Sequence, residues 1–244
     1  MESSGWDFSG STANEAILKP LCEQVEQRVQ LPPRRLYRCF ALNEDEELRR
    51  KNGDHYRGFH VPLSGRGELP QPHYLRSCFF HPLEDTPDGG VPPNKVAFDN
   101  LIYIRHSTCA DKTGLVETYA HELQHFVQHG RTPRLLAVNQ ILCRELWKYE
   151  RTAAVTDIPS EREAIIVSKQ VAEDVCGVEA VRDFAGKQVR LVDGNAEQRA
   201  RWVFFRDVPS SSFLKDTLRL IEQYKGKIDF PTYVSEPEWW KRPL

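Results

Sequence analysis

The sequence predicts an α+β fold: a small mixed or antiparallel sheet packed on one helix, followed by a mostly helical C-terminal half. Three observations carry that expectation. Short runs rich in β-branched and aromatic residues, separated by Gly- and Pro-rich stretches, concentrate before residue 105. After it, apolar residues recur three and four positions apart. Between the two regimes lies the segment 116–130, VETYAHELQHFVQHG, which joins an apolar stripe to a row of histidines.

Composition sets the outer bounds. The 244 residues fit one domain, and a hydrophobic content of 40% with 28% charged residues is ordinary for a globular chain. A net charge of −2 gives no sign of a nucleic-acid or membrane-binding surface. No apolar run is long enough to span a bilayer, and the opening MESSGWDFSG has neither the basic nor the apolar region of a secretory signal. The six cysteines are widely scattered and lack zinc-ribbon spacing, so reduced thiols in a cytoplasmic protein are expected.

Taken in order, residues 1–12 are small and polar and read as a flexible tail, leaving 13–244 as a single domain. Within it, 13–110 supply a helix and the sheet, 111–177 the helices of the candidate site, and 178–244 further helices and an aromatic strap. Residues 14–30 place Ile17, Leu21, Val25 and Val29 on one helical face, with Pro20 starting or bending that helix. Residues 36–42, 55–63, 74–80 and 96–105 read as strands, the last most clearly. Residues 44–52 form a charged connector, and 81–95 hold four prolines and two glycines and must be a loop. The strand at 100–105 is equally an interior strand or an edge that pairs with an extended substrate.

The helix at 116–130 has Val116, Ala120, Leu123 and Val127 on its packed face and Gly130 as its stop. A second helix follows at 132–149 with the stripe Leu135, Val138, Leu142 and Leu146, and a third opens at Pro159 and ends at Gly177. Helices are also expected near 178–186, 195–206 and 213–225. The last of these carries Leu214, Leu218 and Ile221 inward, and the Pro-broken tail anchors through Trp239 and Trp240.

His121-Glu122-Leu123-Gln124-His125 is an HExxH pattern. On a helix, His121 and His125 stand one above the other and can face a single ion. Glu122 lies about 100° round, within reach of a water held there. Two neutral imidazoles and a nearby carboxylate are what zinc-assisted hydrolysis requires, so Glu122 is expected to be catalytic and one Zn²⁺ to bind per chain. A catalytic zinc usually takes three protein ligands. The extended HExxHxxGxxH pattern fails here, because Gln128 and Arg131 occupy its Gly and His positions. His129 sits two turns, about 12 Å, from His121 and cannot share a metal with both other histidines. The other option is a Glu from a later helix, the arrangement called gluzincin, for which the candidates are Glu161 and Glu163. Ser160 and Glu163 match a capping box, so Glu163 is expected to cap its own helix and face away. Glu161 shares a face with Ala164, Ser168 and Ala172, which favours a close helix approach, and is expected to ligate the metal.

HExxH followed by Glu161-Arg162-Glu163-Ala164 on a later helix resembles the gluzincin metallopeptidases, and among them the compact ImmA/IrrE-like group. The resemblance spans about residues 96–177 and implies a zincin-like fold with His121, His125 and Glu161 as ligands. Ile165 stands where gluzincins often carry Asp or Asn after the Ala, so a partner for a ligand histidine must come from elsewhere. The activity expected is hydrolysis of peptide bonds with Glu122 as general base. The expected partner is a peptide or protein substrate, with neither nucleic acid nor membrane. His106, Tyr149 and His129 are the candidate donors to the substrate carbonyl. The rival readings are a zincin-fold binding or regulatory protein without catalysis, and a zinc hydrolase of a non-peptide amide.

Overall fold

The structure is a computed structural model that describes residues 6–8, 12–33, 36–40, 57–62, 100–149, 155–192, 194–207 and 211–242. The expected connector at 44–52, the strand at 74–80 and the loop at 81–95 lie outside the described residues.

The described chain is mostly helical, with a four-stranded mixed sheet. Strand β1 (Trp6–Asp7) pairs parallel with β2 (Leu36–Phe40), which pairs parallel with β4 (Asn100–Ile104). Strand β3 (Gly58–Pro62) pairs antiparallel with β4 on its other side. Both edges of β4 are therefore taken and all five of its residues are buried, which resolves the open alternative. It is an interior strand and cannot accept a substrate strand by edge pairing. The expectation of a loose tail fails at Trp6–Phe8. Trp6 and Phe8 stack with Phe40, and Phe8 is 4% exposed, so two aromatics tie down a segment whose other residues are small and polar.

Helix α1 (Thr12–Val29) runs through Pro20, which sits exposed in its interior. Its buried row is Leu18, Cys22, Val25 and Val29, while Ile17 is 70% exposed. Val25 and Val29 are buried as predicted and Leu21 packs partly buried against the core, while at the N-terminal end Leu18, not Ile17, turns inward. Glu26 ties this helix to the sheet and the core: its carboxylate accepts from Arg38 of β2 and from the buried hydroxyl of Tyr119.

After the short α2 (His106–Cys109) comes α3 (Lys112–Arg131), the central element. Asp111 caps it, accepting from the Gly114 backbone N–H at 2.6 Å. A Cβ at Gly114 would overlap the Arg57 guanidinium, so a larger residue there would have to displace that side chain. Val116, Ala120, Leu123 and Val127 are buried as expected, but Tyr119 and Phe126 are buried too. Helix α3 packs against α1, β3, β4 and α5 and so is enclosed on nearly all sides. It continues through Gly130 to Arg131, with Thr132 as the C-terminal cap, so Gly130 is not its stop.

Helix α4 (Pro133–Tyr149) and α5 (Pro159–Cys176) follow. Gly177, at φ 91°, supplies the left-handed turn into α6 (Val178–Leu191). Then come α7 (Ala196–Asp207) and α8 (Phe213–Tyr224). Two hydrophobic cores form. One joins the sheet, α1, α3, α5, α6 and α7; the other joins α4, α8 and the C-terminal strap. Trp239 is 2% exposed in the second core, as the strap reading expects. Among the described residues no helix is long and apolar enough to cross a membrane.

Candidate metal centre

The site forms where the first turn of α5 crosses the middle of α3. Small side chains let the helices come close: Ala164, Ser168 and Ala172 are all 0% exposed. His121 and His125 stand one turn apart on α3, their rings edge to face and their Nε2 atoms 3.2 Å apart. Glu161 reaches across from α5, its Oε2 3.4 Å from His121 Nε2 and its Oε1 3.3 Å from His125 Nε2. His121, His125 and Glu161 thus form a cluster able to hold a metal ion.

The dimensions can be tested against the ion expected from the sequence. A tetrahedral site with bonds of about 2.0–2.1 Å has ligand atoms about 3.3–3.4 Å apart along each edge. The Nε2–Nε2 separation of 3.2 Å has that scale, as do the contacts of 3.4 and 3.3 Å that the two Nε2 atoms make to different oxygens of Glu161. The donor set of two imidazoles and one carboxylate suits zinc chemically as well. The cluster is reachable from outside, since the Glu161 side chain is 28% exposed and that of His125 15%.

The electrostatics favour positive charge where the three groups converge. Burial pushes the Glu161 carboxyl up, but His125 and His121 beside it hold it well below the usual carboxylate range. Burial also opposes a charge on His125, yet the adjacent Glu161 wins and its pKa is pushed up to about 9. Glu122 is 7% exposed; burial raises its carboxyl, while the neighbouring histidines pull the other way. A raised carboxyl is a better proton acceptor than a solvated one.

Glu163 is not where the sequence reading put it. Helix α5 begins at Pro159 with Ile158 as N-cap, so Ser160 already lies inside the helix and no capping box forms. The Ser160 N–H is taken by Asn139 Oδ1 of α4 at 3.2 Å instead. Glu163 reaches α3, where its Oε2 accepts from Gln124 Nε2 at 3.0 Å and Gln128 Nε2 at 2.9 Å. The approach of α5 is close enough that carboxylates on both its flanks touch α3. Gln128 in turn meets His125 Nδ1 through Oε1 at 2.9 Å. Sequence reasoning missed Gln124 and Gln128. The available signal was that Gln128 stands one helical turn from His125 on the same side.

Further residues surround the cluster. His129 does not join it: its ring lies 6.0 Å from that of His60 on β3. His60 contacts Asn100 Oδ1 at 3.1 Å, and burial pushes its pKa down to about 3, so it is neutral. The side chains of His106 and Tyr149 lie outside the described residues. One turn before His121, Glu117 is fully buried, accepting from Arg201 Nη2 of α7 at 3.1 Å with Arg57 Nη1 at 3.8 Å. The chain matches no protein-family model, no curated protein and no solved structure.

Proposed function

We propose that this protein is a zinc-dependent hydrolase of peptide bonds, zincin-like in architecture and gluzincin in its ligand set. The observation that carries the reading is the cluster of His121, His125 and Glu161, with ligand atoms within 4.8 Å of one another: the two Nε2 atoms are 3.2 Å apart, and each lies 3.3–3.4 Å from a different oxygen of the Glu161 carboxylate. It has the scale of a zinc coordination sphere and stands beside a buried carboxylate in the HExxH register.

Zn²⁺ held there supplies the Lewis acidity that makes water a nucleophile near neutral pH and polarises a substrate carbonyl. The protein's own part falls to few residues. Glu122 takes the proton from the attacking water and returns it to the leaving amine. Its burial, which raises the carboxyl, suits both transfers. Glu161 and His125 fix the position of the site relative to Glu122, since both rise from packed helices. The partial exposure of Glu161 gives a peptide access from one side.

The test is cleavage of a mixed peptide library by the purified full chain, read by mass spectrometry. Products should form with the wild type and disappear with Glu122→Gln or on chelation, while the Glu122→Gln protein keeps its zinc. Zinc binding without any cleavage would instead support the non-catalytic reading. Unchanged cleavage by Glu122→Gln would refute the mechanism.

A further inference from the structure

We infer that Gln128 and Glu163 are positioning residues that fix which nitrogen of His125 faces the metal centre. The inference rests on reading His121, His125 and Glu161 as that centre.

The hydrogen-bond pattern allows one assignment. Gln128 has an amide oxygen at one corner and an amide nitrogen at the other, and the network decides which is which. One corner lies 2.9 Å from the Ser160 carbonyl oxygen and 2.9 Å from Glu163 Oε2. Both of those are acceptors, so that corner is the NH₂ group, with each of its hydrogens used. The corner facing His125 is therefore the oxygen, at 2.9 Å from Nδ1. An amide oxygen only accepts, so Nδ1 of His125 must carry hydrogen. In the neutral ring the lone pair then sits on Nε2, the atom that faces His121 Nε2 and Glu161 Oε1.

Glu163 holds the direction of this relay. Its Oε2 receives both Gln124 and Gln128, and Gln128 is 2% exposed, so no water competes for its amide. Were Gln128 to flip, its oxygen would face a carboxylate and a carbonyl in a buried place, at the full cost of unpaired polar groups. His121 differs: its Nδ1 is buried with no hydrogen bond among the described residues. The two histidines are therefore held unequally, His125 by a built relay and His121 by its helix.

Partners of this kind typically change metal affinity about 10–100-fold when removed. The experiment is zinc affinity of the full chain, by competition with a chromogenic chelator, together with imidazole ¹H–¹⁵N spectra of the zinc-loaded protein. Gln128→Met, of similar length but without an acceptor, should weaken zinc by about 10–100-fold. Glu163→Ala, which removes the acceptor that holds the Gln128 amide in this direction, should weaken zinc in the same sense. In the wild type the His125 Nδ1 proton should be visible and protected from exchange; in Gln128→Met it should broaden or vanish. Wild-type zinc affinity in Gln128→Met, with only the melting temperature lowered, would overturn the inference and leave the network purely structural. Should Gln128→Met not fold, the wild-type spectrum decides, because an unprotected Nδ1 proton refutes the relay on its own. A wild type that takes up no zinc would bring down the metal centre itself, an outcome distinct from intact binding that ignores Gln128.

Discussion

Glu161 and His125 meet across two helices, the carboxylate Oε1 3.3 Å from the imidazole Nε2. That contact depends on where α5 begins. The helix starts at Pro159, one residue before the predicted cap, and Asn139 of α4 takes the Ser160 N–H. The same asparagine donates to Thr217 Oγ1 of α8 at 2.8 Å and to the Leu135 carbonyl at 2.9 Å. A side chain belonging to neither ligand helix thus seats the first turn that carries Glu161.

Asn139 should consequently matter more than Ser160. Asn139→Leu strands the buried Ser160 N–H and should cost about 1–3 kcal/mol of stability. Ser160→Ala keeps that backbone bond and should cost clearly less. Urea unfolding of both variants checks the order; a larger loss for Ser160→Ala would restore the capping box.

Glu117 is 0% exposed between Arg201 and Arg57, and both arginines lie over the ring of Trp202. Glu117→Gln removes the charge of the carboxylate that accepts from Arg201 and lies 3.8 Å from Arg57, leaving the two arginines facing a neutral amide. A loss of about 3–5 kcal/mol is expected. Removing the exposed Arg206–Asp207 pair should leave the unfolding midpoint in place. Equal midpoints for Glu117→Gln and wild type would show that the triad carries no stability.

His60 gives a pH dependence with a defined sign. Burial beside Asn100, Phe126 and His129 holds its folded pKa at about 3, against about 6.5 when unfolded. The unfolded chain therefore binds the extra proton first. Stability is indifferent to this residue above about pH 6.5 and falls as pH drops from there toward 3, by at most about 1.4 kcal/mol per pH unit. Measured against His60→Gln, the wild type should lose ground between pH 7.5 and pH 5. Parallel stability curves would contradict this.

Part of this site was legible in the sequence, and the reason is local periodicity. A four-residue spacing puts His121 and His125 on one helical row wherever the helix goes, and small residues beside Glu161 mark a close crossing. The stripe of α4 was readable for the same reason. What could not be read depends on crossing geometry. Glu163 lies on the opposite flank of α5 from Glu161, and only the closeness of the approach lets both touch α3. Asn139, Arg57 and His60 arrive from distant segments with no spacing to announce them. At the start of α1 the inward residue is Leu18 rather than Ile17, because both are apolar and the packing partner makes the choice.

The central claim is that His121, His125 and Glu161 hold one zinc ion, and metal content tests it most directly. The 244-residue chain purified without added chelator should carry about one zinc per chain by elemental analysis, lose it to a strong chelator and recover it from added zinc. His125→Ala and Glu161→Ala should each abolish tight binding while Gln124→Ala retains the ion. A wild type that neither carries nor takes up zinc, or full occupancy in both ligand variants, would contradict the account.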